Sequence, residues 1–241
     1  MICPLCNRNY QKGQFLPFGP TKRLFVACPT PGCFSAERHR FATLFLKNAH
    51  ISFQRTLHIA PEKNMQILLK KMSKHYFCGD LEPNNFENMN CVFLDATNMS
   101  FFDNFFDLIY ASHILEHIPD DRKAMQEMYR TLKPNGILLA MIPQKFTEKT
   151  YENFTITEPD ERTKHFGQSD HVRVYGLDFT KRLKEQGFHI IIYCHVSVVD
   201  QIENMIYDEK HVLDKEYDFY NLSKGEILYI CRKLVQEEEN N

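Results

Sequence analysis

The 241 residues carry 43% apolar side chains and a formal net charge of −2 at pH 7, the composition of a packed globular chain and not of a disordered or strongly nucleic-acid-like one. No apolar run reaches the ~18 residues that a membrane-spanning helix needs, and the start Met1-Ile2-Cys3-Pro4 lacks the pattern of a secretory signal, so a soluble, cytoplasmic protein with no membrane partner is expected. None of the 9 glycines has the spacing of a G-x-G-x-x-G dinucleotide loop and no G-x-x-x-x-G-K-[ST] occurs, which excludes a P-loop nucleotidase.

Charge and cysteine usage divide the chain at one place. Residues 1–55 hold eight Lys/Arg against a single acid, Glu37, and the rest of the chain is acidic. Such asymmetry marks either an anionic partner or a solvated surface. Cys3, Cys6, Cys28 and Cys33 form a C-x2-C and a C-x4-C pair, 21 residues apart. Two short knuckles of this kind deliver four thiolates to a tetrahedral Zn²⁺. A segment spanning 1–33 cannot bury a core, so the metal would supply its folding energy, and four thiolates leave no open position, making the site structural. Two disulfides or unliganded thiols are the alternatives. Cys78, Cys91, Cys194 and Cys231 lie singly in apolar stretches and read as buried core thiols in a reducing compartment.

Residues 34–50 follow with a helical pattern: Phe41, Leu44, Phe45 and Asn48 share a face, Ser35 can cap it, and Arg38, His39 and Arg40 are expected on the exposed side. This basic helix connects, over 34–55, to an alternating pattern from residue 56 to 234. Strands are expected at 56–60, 75–78, 91–94, 107–111 and 137–142. Helices lie between them, one with the stripe Met65, Leu68, Leu69 and Met72, another starting at Asp120-Asp121 with Met125, Met128, Tyr129 and Leu132 on one face. Residues 144–176 are polar and aperiodic, a long insertion of the kind that covers a site. A helix over 178–186 stopped by Gly187, strands at 188–193 and 226–231, and a disordered tail at 235–241 complete the chain.

Strands alternating with helices imply an α/β fold, a parallel sheet with helices on both faces, whose ligands bind beyond the carboxyl ends of the strands. That rule gathers His58, Ala60, Pro61 and Glu62 after the first strand, Asp80 after the second, Asp95 after the third, and Ser112 and His113 after the fourth. A carboxylate accepts two hydroxyl hydrogen bonds from a ribose or one from an exocyclic amine. Asp80, 20 residues beyond Ala60, stands at about the distance at which an acid meets the ribose in nucleotide-binding units. Aspartates that end strands merely as turn residues are the alternative.

The stretch Asp95-Ala96-Thr97-Asn98-Met99-Ser100-Phe101 and the stretch Phe106 to Asp120, with Leu115-Glu116-His117 at its turn, resemble class I S-adenosylmethionine-dependent methyltransferases, in particular the small-molecule branch with a Leu-Glu-His turn. Met128 to Leu139 is similar to that family's next helix and fifth strand, and the resemblance covers roughly residues 55–233. It implies a Rossmann-like seven-stranded sheet, with S-adenosylmethionine as cofactor. Asp80 would bind the ribose hydroxyls, Asp95 the adenine amine beside the Ala96 backbone, and Leu81 would pack on the adenine face. Ser112 and His113 would lie near the methionine portion. The chain departs from the family at the first motif, where His58-Ile59-Ala60-Pro61-Glu62 replaces an acid and two glycines; Glu62 would offset this by pairing with the cofactor's ammonium group. A minor set of methyltransferase-like proteins with a cysteine-rich N-terminal segment resembles the chain in this turn.

For the acceptor side, His117 is the first candidate base, because an imidazole titrates near neutrality. Asp170 and His171 in the insertion offer a second base, and Arg173 a clamp on a polar substrate. Three functions compete: transfer to oxygen or nitrogen of a small molecule such as a sugar, metabolite or natural-product precursor; RNA methylation docked through the basic ribbon, as a ribosomal RNA guanine methyltransferase family with an N-terminal four-ligand ribbon is similar in that respect; or a non-catalytic binding role. The acidic catalytic region and the lack of an aromatic-and-basic stacking run place nucleic acid behind a small-molecule partner. The sequence does not reveal an oligomeric state.

Overall fold

A computed structural model describes residues 2–19, 22–145, 147–198, 201–208 and 227–235. In chain order it contains β1 (Leu16–Phe18), β2 (Arg23–Ala27), α1 (Glu37–Asn48), β3 (Phe53–Ile59), α2 (Lys63–Met72), β4 (Ser73–Asp80), β5 (Val92–Phe93), β6 (Phe106–Ser112), α3 (Asp121–Thr131), β7 (Leu132–Met141), β8 (Tyr151–Glu152), α4 (Pro159–Phe166), β9 (Arg173–Val174), α5 (Phe179–Lys184), β10 (His189–Val198), β11 (Gln201–Asp208) and β12 (Ile227–Arg232). The main sheet runs β11-β10-β12-β7-β6-β3-β4-β5. Pairs among β5, β4, β3, β6 and β7 are parallel, and β12 and β10 add antiparallel strands. All seven expected strands therefore join one sheet, and β11 adds an eighth at its edge. The 235–241 tail expectation lies outside the described residues from 236 onward.

Alternation along the central strands sorts side chains onto two faces. Leu108 and Tyr110 of β6 and Leu139 and Met141 of β7 pack with α1 and α2, through Phe41, Leu46, Met65 and Leu69. Ile109, Ala111, Leu138 and Ala140 point the other way, onto Met125 and Met128 of α3 and Phe179 and Leu183 of α5. Each strand thus has period-two burial on both sides, as a sheet covered on both faces requires. Asp120 caps α3 by accepting from the Lys123 N–H at 3.0 Å, and Gly187, at φ +95°, ends the segment after α5 in the left-handed conformation.

Two expectations about the basic helix change. Ser35 is not its cap; Ala36 occupies that position, and the fully buried Ser35 hydroxyl lies 3.3 Å from the sulfurs of both Cys3 and Cys33. Nor are Arg38, His39 and Arg40 displayed to solvent. His39 is buried, Arg40 donates to the carbonyls of Val26 and Ser35 and sits over the Phe15 ring, and Arg38 sits over Phe18. Arg23 pairs with Glu37 at 2.9 Å and Lys47 donates to the Pro4 carbonyl at 2.5 Å. Much of the basic excess therefore ties the N-terminal segment to α1. The insertion is also more regular than its polar sequence suggests, since it contains α4 and the antiparallel pair β8 and β9. No helix among the described residues is long and apolar enough to cross a membrane.

Candidate functional site

The parallel strands β3, β4, β5 and β6 end on one edge. β3 ends in Ala60, which holds φ +48°, a conformation that glycine adopts far more readily, with its N–H donated to the Gly79 carbonyl at 2.9 Å. Ala60 thus takes, without a glycine, a backbone conformation that glycine favours. Pro61, buried, and Glu62 follow, with Glu62 at the N-cap position of α2. β6 ends likewise: His113 holds φ +54° and donates its N–H to the Met141 carbonyl at 2.8 Å. Two non-glycine residues in the left-handed region, at the ends of neighbouring strands, mark where the chain stores strain at a site.

Asp80 and Asp95 stand at the ends of β4 and β5. Each commits Oδ1 to a turn: Asp80 accepts from the Glu82 N–H at 2.8 Å, and Asp95 from the Thr97 N–H at 2.8 Å and hydroxyl at 2.7 Å. The turn role and the ligand role are compatible, because a carboxylate has acceptor capacity beyond one turn. Leu81 is 60% exposed beside them, an apolar side chain in the place expected of an adenine platform, while Ala96 is buried. Ser112 is buried and its hydroxyl has no hydrogen-bond partner, a polar atom left over at the edge. Gly79 lets β4 and β5 approach, since a Cβ there would lie 2.5 Å from Leu94 Cβ.

Two first-motif expectations are corrected. His58 does not face the edge; it is fully buried, with Nδ1 2.9 Å from the Tyr76 hydroxyl and Nε2 3.2 Å from Glu62 Oε2 and 3.3 Å from the Glu62 N–H. Glu62 is not free for a ligand either. Its Oε1 also accepts from His39 Nε2 at 3.0 Å and lies 3.5 Å from Arg38 Nε, leaving the side chain 19% exposed. His39 Nδ1 accepts from the Ala36 N–H at 3.0 Å and the Asn64 amide at 2.9 Å, which fixes the ring as the neutral tautomer with Nε2 as donor. Burial opposes the Glu62 charge, but the hydrogen bonds from His39 and His58 outweigh it and hold the carboxyl well below the usual range. Burial pushes the His39 imidazole below its ordinary value, keeping it neutral.

The acceptor candidates assemble beside the turn after β6. His117 Nδ1 lies 3.2 Å from Asp170 Oδ2, and the His117 and His171 rings meet edge to face at 4.7 Å. His171 is buried, with Nδ1 3.2 Å from the Phe166 carbonyl, and the neighbouring Val172 N–H donates to the Glu116 carbonyl at 3.0 Å. Arg173, by contrast, is no substrate clamp. It is 1% exposed and donates to Glu152 at 2.9 Å, to Leu115 O at 2.8 Å, to Pro119 O at 2.7 Å and to Ile118 O. Four of its five N–H groups fasten the insertion to the Leu-Glu-His turn and to Glu152. Asp121, Glu152, Tyr175 and Arg182 extend this buried network, which the polar insertion sequence gave no period to reveal.

At the N-terminus the four cysteine sulfurs lie within 4.8 Å of one another, with Cys3 and Cys33 3.8 Å apart and Cys6 and Cys28 3.7 Å apart. Disulfides are excluded by these separations, and all four thiols are free. A tetrahedron of thiolates about 2.3 Å from a central ion has edges of about 3.8 Å, so the donor set fits a metal of that size.

Residues 55–140 match the methyltransferase domain family. The chain is similar to a ubiquinone/menaquinone biosynthesis C-methyltransferase of Rickettsia felis, 27% identical over 131 residues, 48% of this chain and 53% of that protein. It is also similar to a demethylmenaquinone methyltransferase of Staphylococcus epidermidis, 36% identical over 63 residues, 26% of each. The chain thus spans about half or less of the length of these curated relatives. Among solved structures, a SAM-dependent methyltransferase of Thermotoga maritima, described as a possible histamine N-methyltransferase, superposes with TM-score 0.53 at 17% identity, covering 81% of this chain and 91% of that one. That likeness is one of fold.

Proposed function

We propose that this chain, whose residues 55–140 form a class I methyltransferase domain, transfers the methyl group of S-adenosylmethionine to oxygen or nitrogen of a small polar acceptor. The observation that carries the reading is the pair Asp80 and Asp95, set by matching turns at the ends of adjacent strands with exposed Leu81 between them. Asp80 accepts from the two ribose hydroxyls, Asp95 from the adenine amine beside the buried Ala96, and Leu81 covers the ring. The left-handed Ala60 turns the chain away where the glycine-rich loop of relatives would, and Ser112 and His113 border the methionine end.

Asp80, Asp95 and Leu81 would hold the cofactor, which would supply an electrophilic methyl on a sulfonium. A heteroatom acceptor would have to lose a proton, and His117, with the Asp170 carboxylate 3.2 Å from Nδ1, would offer Nε2 for it. Positioning supplies most of the acceleration of in-line methyl transfer. A polar base cluster beside the methyl suits a heteroatom acceptor; the relative of Rickettsia felis is named for transfer to carbon. We further propose that Cys3, Cys6, Cys28 and Cys33 hold a structural Zn²⁺. The nucleic-acid reading loses support because Arg38, Arg40 and Lys47 are engaged within the protein.

Calorimetric titration with S-adenosylhomocysteine tests the reading. Micromolar binding is expected, weakened roughly 10- to 100-fold by Asp80→Ala, the loss of charge-assisted hydrogen bonds of about 1.5–3 kcal/mol. A folded protein that does not bind it, or binds it equally well as the variant, overturns the reading.

A further inference from the structure

Glu116 is buried at 0% exposure, and neither of its carboxylate oxygens has a hydrogen-bond partner. A carboxylate taken out of water without donors is costly enough that something cationic or protonic normally meets it. His113 Nδ1 approaches only one of the two oxygens, at 3.4 Å. The other neighbours are acceptors. One ligand atom from each of Glu116, His117 and His171 lies within 4.8 Å of the other two. The Nδ1 atoms of both rings are already taken, by the Asp170 carboxylate at 3.2 Å and by the Phe166 carbonyl at 3.2 Å. The Phe166 carbonyl is an acceptor, so His171 donates there and turns its lone pair to Nε2; the Asp170 carboxylate beside His117 Nδ1 favours the same tautomer of that ring. The Glu116 carboxylate and the two imidazole lone pairs therefore converge, with His113 Nδ1 beside one carboxylate oxygen only.

We propose that Glu116, His117 and His171 form a divalent-cation site, with Asp170 and the Phe166 carbonyl as the outer partners that orient the two imidazoles. Imidazoles whose second nitrogen donates to a carboxylate or a carbonyl are the usual arrangement around a protein-bound metal. Two histidines and one carboxylate suit a first-row transition ion and leave coordination positions open. Glu116 and His117 lie on the turn after β6, at the same edge as Ser112 and His113, and His171 comes to them from the insertion. The inference rests on the methyltransferase reading and deepens it: the acceptor class becomes one that offers an oxygen ligand, such as a hydroxyl or enol. With a cation bound, His117 would be a ligand and would no longer serve as the base proposed above, so the acceptor's proton would pass to solvent water.

Mn²⁺ alone, added to zinc-loaded full-length protein, is the probe, because thiolates are poor ligands for it. Its electron spin resonance spectrum should show one bound ion per chain with nitrogen modulation from imidazole. Affinity should fall on the order of 100-fold or more in Glu116→Gln, and about 10- to 100-fold in Asp170→Asn, which touches no ion. Urea midpoints of both variants establish that they fold, and His171→Asn serves if Glu116→Gln does not. No bound Mn²⁺ at millimolar concentration, binding without nitrogen modulation, or affinity unchanged in folded variants overturns the site and leaves Glu116 as a buried partner of His113. S-adenosylhomocysteine titrated into the same sample separates the two proposals: binding of it without Mn²⁺ removes only the cation site, and Mn²⁺ binding without it removes only the methyltransferase reading.

Discussion

Gly79→Ala is expected to disturb both the sheet and the cofactor edge. The added Cβ would lie 2.5 Å from Leu94 Cβ, 2.9 Å from Cδ2 and 3.2 Å from Cγ. A Cβ–Cβ approach cannot be relieved by a rotamer change, because both atoms ride on the backbone, so β4 and β5 must separate. Overpacking of this kind costs about 1–3 kcal/mol, offset by about 0.5–1 kcal/mol from the reduced freedom of the unfolded chain. A net loss of about 1–2 kcal/mol in urea unfolding is expected. Asp80 adjoins the clash on one strand and Asp95 on the other, so moving the strands by ~1 Å should weaken S-adenosylhomocysteine binding roughly 10- to 100-fold. A double-mutant cycle isolates the contact. Leu94→Gly alone should cost at least the about 2–5 kcal/mol of emptying a buried site. The double variant should be less unstable than the sum of the two by about 1–2 kcal/mol, because only loss of the Leu94 Cβ together with its branch removes all three contacts with the new methyl. Additivity within about 0.5 kcal/mol would refute the packing argument. A destabilised Gly79→Ala with unchanged affinity would refute the link to the site.

Glu62→Gln should destabilise the protein by about 2–4 kcal/mol at pH 7, since it removes the charge from two buried hydrogen bonds. The folded carboxyl is depressed, so its contribution is complete above the unfolded value near 4.3 and declines below it, by up to about 1.4 kcal/mol per pH unit. The gap between wild type and variant in urea unfolding should therefore be narrower at pH 3.5 than at pH 7, with Arg38, His39 and His58 the charged and titratable neighbours; an equal gap would refute the assignment. Arg173→Ala should lose about 2–4 kcal/mol by leaving the buried Ile118 and Pro119 carbonyls without this donor, while Glu152 keeps Arg182 and the Leu115 carbonyl keeps the Tyr175 hydroxyl, read by thermal or urea unfolding. Stripping metal from the four cysteines with a chelator should unfold residues 1–33, seen as loss of their amide protection in hydrogen exchange, with the sheet retained. Unchanged protection there would count against a structural metal.

The order of strands and helices was legible because a sheet covered on both faces writes short apolar runs punctuated by Pro61, Gly79-Asp80 and Asp95. His117 was legible as a candidate from its place after the fourth strand, whereas Glu116 showed only as part of the Leu-Glu-His turn, with no sign of its full burial. Side-chain direction was not legible. His58 alternates with Leu57 and Ile59, and one residue's step along a strand turns it from the edge's surroundings into the α1–α2 face. Arg173 looked like a clamp because its partners, Leu115, Ile118, Pro119 and Glu152, are contributed by backbone carbonyls and a side chain 21 to 58 residues away. No local pattern announces such a closure. The insertion hid its helix for a related reason: α4 buries only Phe166, so it has almost no apolar period to read.

The arrangement also explains how a first motif without glycine holds its shape. A glycine loop needs no help to enter the left-handed region, whereas Ala60 at φ +48° needs its surroundings to hold it there. Those surroundings come from both sides. The Gly79 carbonyl takes the Ala60 N–H, and two residues on, Glu62 is gripped by His58 from within the sheet and by His39 from α1. His39 stands three residues after Ala36, whose N–H it accepts, and Ser35 before it touches Cys3 and Cys33. The contacts run without a break from the cysteine cluster to the turn beyond β3. On this chain the N-terminal segment therefore braces the turn beyond β3, and basic residues that mark it in the sequence serve that attachment.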